Sequence, residues 1–184
     1  SPKPVPCERI LPAALMTVDL STVDGDDLVG VVKTAMPSMK LLEPWNDPPW
    51  FKWSDGTITV TGYSDMRTTE LFLRLEGGTT IGDVIRCFGP PSHYVVRRDQ
   101  GQESSGYGYI LFYPATGLVV SHMKYGLFAP SSFGENSPVD DVSLVPQRGD
   151  INAVLEQRYV GDWLISLKRD IRKWPTDFTT IGMP

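Results

Sequence analysis

Two short amphipathic helices stand out in the pattern of apolar and polar positions. The first has apolar residues at positions i, i+3, i+4 and i+7, namely Leu28, Val31, Val32 and Ala35. This spacing places them on one helical face and predicts a helix over about residues 25–36. Pro37 ends it, because proline cannot continue the hydrogen-bonded turn.

The second predicted helix, over residues 79–88, carries its own start and stop signals. Its apolar face consists of Ile81, Val84, Ile85 and Phe88. A hydroxyl of Thr79 or Thr80 is expected to cap the first turn, where the acidic Asp83 suits the helix N-terminus. Gly89 and the two prolines after it end the helix.

Alternating apolar and polar runs predict an antiparallel sheet. Asp55-Gly56, between two such runs, is typical of a hairpin turn. Three strands are expected after the first helix, within residues 50–53, 57–61 and 70–75. Four more are expected after the second helix, near 94–98, 107–113, 118–124 and 141–145. The longer connections at 100–106 and 128–138 are expected to be mobile loops.

The order of a helix followed by strands occurs twice, which predicts an α+β fold of two αβββ units in one largely antiparallel sheet. The first unit spans residues 16–76 and the second 77–148. A proline-rich lead-in, residues 1–15, is expected to run extended over the surface. Residues 149–184 are expected to form a tail of two helices that packs on the sheet, with Asp150 capping the first.

Composition narrows the functional classes. Of 184 residues, 41% are hydrophobic, so the chain is apolar enough to fold as a globular protein. No apolar run approaches the roughly 18 residues that cross a bilayer. The formal net charge of -5 argues against a nucleic-acid partner, because such binding depends on a basic surface.

The two cysteines, Cys7 and Cys87, favour a disulfide that joins the lead-in to the second helix. The alternative is two unrelated buried thiols. Because disulfides persist in oxidising compartments, the pairing favours an extracytoplasmic protein, either secreted or attached to the cell envelope.

The second unit resembles a known family. Its Gly78, Thr79, Thr80, Val84, Phe88, Gly89 and Pro91 resemble the signature G-x-T-x-x-x-V-x-x-x-L-G-x-P of small bacterial envelope lipoproteins of outer-membrane assembly. The doubled unit is similar to the β-lactamase inhibitor protein family, which forms one concave sheet. Residues 81–94, with the later Lys173-Trp174-Pro175, resemble uncharacterised exported proteins of filamentous green bacteria. These resemblances imply an exported binding module, and they supply no catalytic residues.

Aromatic residues provide the candidate binding surface. Three tryptophans, Trp45, Trp50 and Trp53, crowd into nine positions, and Tyr107 and Tyr109 share one face of a later strand with Tyr113. Exposed aromatic patches mark surfaces that bind partners. The predicted partner-binding residues are therefore Trp45, Trp50, Trp53, Tyr107 and Tyr109. The alternative is a tryptophan-rich core covered by helices.

The predicted function is a non-enzymatic module that engages another protein in the envelope or extracellular space. The alternative is a carbohydrate-binding module that stacks sugars on exposed tryptophans. A hydrolase that uses His93 or His122 is a third interpretation, with no catalytic motif to support it. We predict neither a metal nor a cofactor. The acidic run Asp24, Asp26 and Asp27 is interpreted as helix capping, because the closing ligands of a calcium loop are missing.

Overall fold

A computed structural model describes residues 3–23, 27–42, 45–46, 49–64, 69–75, 77–100, 105–126, 130–146 and 149–183. The described chain forms a ten-stranded antiparallel sheet and a separate two-stranded sheet. The strands of the large sheet are β1 (Lys40–Leu41), β2 (Trp45–Asn46), β3 (Pro49–Ser54), β4 (Thr59–Ser64), β5 (Thr69–Arg74), β6 (His93–Gln100), β7 (Ser105–Tyr113), β8 (Leu118–Tyr125), β10 (Asp141–Leu144) and β11 (Arg172–Lys173). The small sheet pairs β9 (Ser132–Gly134) with β12 (Thr180–Gly182).

The order of strands in the large sheet is β1-β3-β4-β5-β10-β8-β7-β6-β11, and β2 also pairs with β3. Two three-stranded meanders, β3-β4-β5 and β6-β7-β8, therefore lie in one sheet with β10 inserted between them. Each meander follows a helix, as the pattern predicts. The predicted α+β fold of two αβββ units with a helical tail is confirmed.

The helices are α1 (Cys7–Ile10), α2 (Ala13–Met16), α3 (Leu28–Ala35), α4 (Ile81–Phe88), α5 (Ile151–Arg158) and α6 (Gly161–Asp170), with a 3-10 helix at Leu20–Thr22. No helix among the described residues is long and apolar enough to cross a membrane.

The prediction of an extended lead-in over residues 1–15 is wrong from Cys7 onward, where α1 and α2 form. Residues 1–2 lie outside the described residues. Pro6 and Pro12 stand directly before α1 and α2, where proline opens a helix instead of breaking it. Ile10 and Leu15 on these helices are fully buried. The lead-in is therefore part of the core.

Helix α4 begins with a capping box. The Thr80 hydroxyl accepts a hydrogen bond from the Asp83 amide at 3.3 Å, and the Thr80 amide donates to the Asp83 carboxylate at 3.2 Å. Gly89, at a φ of 77°, ends the helix in a conformation that glycine adopts without strain. The start and stop predicted from the sequence are both present, with Thr80 as the capping residue.

The Cys7–Cys87 disulfide is formed, and it joins α1 to α4 across a sequence separation of 80 residues. Two further contacts fix the same junction. The Val5 amide donates to the Asp83 carboxylate at 3.0 Å, and the Arg86 guanidinium donates to the Val5 carbonyl. The lead-in is thus held to the start of the second unit by a covalent bond and by polar contacts.

The core has two layers, one on each face of the sheet. Helices α1 to α4 cover the first layer, and α5 and α6 cover the second. The first layer includes Leu71, Leu73, Leu111, Val120 and Val142. The second includes Val95, Phe112, Val119, Leu155 and Leu167.

The expectation of a mobile loop over residues 128–138 is also wrong for the part that is described. This segment contains β9, and the Phe133 side chain is only 2% exposed. Phe133 packs face to face on Tyr109 with ring centroids 4.6 Å apart. One buried aromatic ring thus anchors the segment. In the other expected loop, residues 100–106, β6 extends to Gln100 and β7 begins at Ser105, and residues 101–104 lie outside the described residues.

Candidate functional site

The predicted aromatic binding face is not assembled as expected. The Trp53 side chain is 1% exposed, because it packs over Gly62 and Leu28 in the first core layer. A ring buried in this way cannot stack on a partner or a sugar. The side chains of Trp45 and Trp50 lie outside the described residues.

Tyr107, Tyr109 and Tyr113 do share one face of β7, as predicted, but two of them are buried. The Tyr109 hydroxyl donates to the Pro138 carbonyl, and the Tyr113 hydroxyl donates to the Gly89 carbonyl at 3.0 Å. Burial raises the pKa of both hydroxyls, and the charge of Asp140 adds to the effect at Tyr109. Both therefore stay protonated as donors, and only Tyr107, half-buried, is accessible.

The polar centre of this face is His122 on β8. In the strand register His122 lies opposite Tyr109, and its ring centroid is 5.4 Å from that of Tyr109 and 6.1 Å from that of Tyr107. Its Nδ1 lies 2.7 Å from Oδ2 of Asp140. The Asp140 amide donates to the Ser121 carbonyl at 3.0 Å, which fixes the aspartate beside β8.

The contact between His122 and Asp140 favours one protonation pattern. A carboxylate beside Nδ1 favours a proton on that nitrogen, which leaves Nε2 as the acceptor in the neutral ring. A hydrogen on Nδ1 would not point directly at Oδ2 of Asp140. The contact is therefore an electrostatic attraction and not a well-formed hydrogen bond. In this tautomer Nε2 is the ring nitrogen that can accept a hydrogen bond.

A small pocket of about 100 Å³ lies against this histidine. It is lined by Tyr107, Tyr109, His122, Lys124, Pro130, Phe133, Ser137, Pro138 and Met183. Lys124 stands opposite Tyr107 in the register, one alternating position beyond His122 on the same face of β8. The pocket thus combines an imidazole with an ammonium group and a phenol, which are the groups that bind anions and transfer protons.

His93 forms no common site with His122. His93 is two residues from Val95 on β6, so both side chains lie on the face of the second core layer. His122 lies on the other face, next to Tyr109 of the first layer. The Nδ1 of His93 lies 2.8 Å from the Ser92 hydroxyl. Burial and then the charge of Lys173 lower the pKa of His93. The two histidines therefore occupy different faces and different electrostatic environments.

The predicted roles of the acidic run are only partly described. Asp24 and Asp26 lie outside the described residues. Asp27 precedes α3 but its side chain makes no capping hydrogen bond, so its predicted capping role is wrong. Across the part of the chain that the structure describes, no three His, Cys, Asp or Glu side chains form a group that could hold a metal ion.

Sequence reasoning missed Asp140 and Lys124 as members of the site. The shared parity of His122 and Lys124 on one strand was a usable signal. Asp140 gave none, because β10 is inserted next to β8 by long-range pairing that no local pattern predicts.

Comparison with known proteins gave one informative similarity. No family model and no solved structure matches the chain. The chain is similar to Endoribonuclease YbeY of Burkholderia ambifaria, with 31% identity over 84 residues, which cover 38% of this chain and 48% of that protein. The chain therefore spans about half the length of this curated relative.

This similarity contradicts three of our predictions. The matched protein of Burkholderia ambifaria is named as an endoribonuclease, which is an enzyme that acts on RNA. The prediction of a non-enzymatic binding module is therefore wrong, and so is its carbohydrate-binding alternative. The predictions of no enzymatic activity and of no nucleic-acid partner are wrong as well. The argument from net charge failed because a total over the whole chain does not describe the charge at one pocket, where Lys124 provides a cation. The remaining interpretation from the sequence is a hydrolase that uses His93 or His122.

Proposed function

We propose that this protein cleaves RNA, with His122 as the group that accepts a proton from the substrate. The observation that carries the proposal is the 2.7 Å contact between His122 Nδ1 and Asp140 Oδ2, beside a pocket that also holds Lys124 and Tyr107. The similarity to an endoribonuclease supports the class of substrate.

The proposed reaction uses the 2′-hydroxyl of RNA as the nucleophile. Nε2 of His122 takes the 2′-hydroxyl proton while the oxygen attacks the neighbouring phosphorus. The 2′-O–P bond forms and the P–O5′ bond breaks, and the departing 5′-oxygen receives a proton. The products are a 2′,3′-cyclic phosphate and a 5′-hydroxyl, and neither an oxidant nor a second substrate is consumed.

The neighbouring side chains have separate roles in this scheme. The Lys124 ammonium group stabilises the negative charge that builds on the phosphate oxygens. The Tyr107 hydroxyl is the proton donor for the leaving oxygen. Asp140 is a positioning residue, because it orients the imidazole without touching the substrate.

The experiment follows cleavage of a fluorescently labelled single-stranded RNA by the purified protein and identifies the new ends by mass spectrometry. We expect cleavage, with cyclic phosphate ends. His122→Asn should lower kcat about 10²–10⁴-fold, the usual loss when a general base is removed. Asp140→Asn should lower kcat less and leave KM unchanged, because it disturbs the orientation of the imidazole and removes no group that contacts the substrate.

His93→Asn is the matched control, since it removes the other histidine from the opposite face of the sheet. It should cleave RNA at the wild-type rate. Equal activity of the wild type and His122→Asn would contradict the proposal, as would an equal loss in His93→Asn and His122→Asn.

A further inference from the structure

Beside the His122 pocket lies a wider groove with a different chemistry. It has a volume of about 710 Å³ and runs between the edge of β6, helix α6 and strand β12. Four of its lining residues are arginines, namely Arg97, Arg98, Arg169 and Arg172, and Asp170 is its carboxylate. The remaining lining residues are Tyr94, Val96, Ser166, Ile181, Gly182 and Met183.

We propose that this groove binds the phosphate backbone of single-stranded RNA and leads it to the His122 pocket. The identity of the strand as RNA rests on the proposed function. The anion-binding character of the groove rests on its own residues.

The groove concentrates positive charge in an acidic protein. Four arginines and one aspartate line it, while the whole chain carries a net charge of -5. Guanidinium groups are planar, always charged and matched to phosphate oxygens in pairs. Such a concentration favours a ligand with several negative charges in a row over a single small anion.

Packing holds several of these guanidinium groups in place. Arg97 lies 3.6 Å from the centroid of the Trp163 ring, and Arg172 donates to the carbonyls of Arg169 and Ile171, both at 2.9 Å. Arg169 pairs with Asp170 at 2.8 and 3.0 Å. Because these positions are set before a ligand arrives, less side-chain entropy is lost on binding.

A row of side chains connects the groove to the pocket. In the register of the sheet Arg98 lies opposite Tyr107, and Tyr107 lies opposite Lys124. The three residues share one face across β6, β7 and β8, and neighbouring strands are about 4.8 Å apart, so Arg98 and Lys124 are separated by about 10 Å across the sheet. Met183 lines both cavities. One strand of nucleic acid can therefore occupy both at once.

The test measures binding of a 12-nucleotide 2′-O-methyl RNA, which lacks the nucleophilic hydroxyl and cannot be cleaved by the proposed reaction. Fluorescence anisotropy gives the Kd at several salt concentrations. Contact with the phosphate backbone should make log K fall linearly against log salt, by about 0.7 for each phosphate that the groove neutralises. Arg98→Gln with Arg172→Gln should weaken binding at least tenfold and make the slope shallower, because fewer phosphates are neutralised.

Lys52→Gln with Arg74→Gln is the charge-matched control. Both residues are exposed and lie on β3 and β5, which β10, β8 and β7 separate from β6. This pair should keep the wild-type Kd and slope. If the groove pair is unstable by thermal melting, Arg98→Gln alone should still change the slope by about 0.7. Equal weakening by both pairs would overturn the proposal, and so would binding of a heparin fragment with no binding of RNA.

The outcome for the groove is separable from the outcome for the reaction. Binding that depends on the groove arginines, together with no cleavage by the wild type, would support the groove and contradict the proposed function. Cleavage by a protein whose binding ignores the groove arginines would overturn the groove alone.

Discussion

Asp83 shows how much one side chain contributes to this fold. Its carboxylate closes the capping box of α4, accepts from the Val5 amide at 3.0 Å and contacts the Arg86 guanidinium at 3.3 Å. Partial burial alone would raise its pKa. The hydrogen bonds from Val5, Arg86 and Thr80 outweigh that effect and hold the pKa of Asp83 below the ordinary value of 3.8.

Asp83 should therefore make protein stability depend on pH in the acidic range. A carboxyl group whose pKa is lower in the folded state stabilises the fold above the unfolded pKa, and this contribution is lost as the pH falls through the folded pKa. Asp83→Asn should lower the free energy of unfolding by about 1 kcal/mol or more at pH 7, the usual effect of losing a cap. The difference from wild type should shrink as the pH falls below 3.8.

Urea unfolding of both proteins at pH 7 and near pH 3 measures this difference. Asp162→Asn is the control, because Asp162 also lies in the first turn of a helix, α6, which has no side-chain cap. A stability difference for Asp83→Asn that is the same at both pH values would show that the carboxylate charge is not responsible.

The β3–β4 hairpin illustrates packing at the scale of elements. Gly62 on β4 leaves room for Trp53 of β3 and Leu28 of α3. A Cβ at Gly62 would come within 2.7 Å of both side chains. The absence of a side chain at one position therefore lets the helix and the tryptophan pack on the same patch of sheet.

Gly62→Ala should destabilise the protein by about 1–3 kcal/mol, the usual cost of overpacking a core. Thermal unfolding monitored by tryptophan fluorescence measures it. Gly30→Ala, on α3 with nothing within 4 Å of the added Cβ, is the control. It should raise stability by about 0.5–1 kcal/mol through helix propensity. A neutral Gly62→Ala would mean that the contact between Trp53 and Leu28 is loose.

The local sequence pattern predicts most of the helices and strands but little of the candidate site. The spacing in α3 and α4 and the Asp55-Gly56 turn are properties of neighbouring residues, so the sequence alone predicted them. The burial of Trp53 was not predictable in the same way. Strand alternation separates two faces, but only the tertiary fold determines which face the helices cover. The pairing of His122 with Asp140 likewise depends on where β10 enters the sheet.

At the scale of the whole molecule, the disulfide between Cys7 and Cys87 closes a large loop. For a sequence separation of 80 residues, the loss of chain entropy in the unfolded state corresponds to about 4.5 kcal/mol. Export to an oxidising compartment, and the resemblance to envelope proteins of outer-membrane assembly, stay predictions. The described disulfide is compatible with both.

Reduction should therefore lower the free energy of unfolding by up to about 4.5 kcal/mol. Urea unfolding with and without a phosphine reductant measures the change, and the double variant Cys7→Ser with Cys87→Ser should match the reduced protein. Alkylation of the unreduced protein should label neither cysteine. Labelling of both, with no effect of the reductant on stability, would contradict the pairing and remove the argument for export.

The C-terminal segment has a practical consequence for protein engineering. Residues 172–173 extend the edge of the large sheet beside β6, residues 180–182 pair with β9, and Met183 contacts both cavities. A purification tag joined directly after Met183 would begin beside both cavities. A histidine tag there would place additional imidazole groups near His122, whose role the cleavage assay tests. Recombinant protein for binding and cleavage assays should therefore have any tag at this position removed.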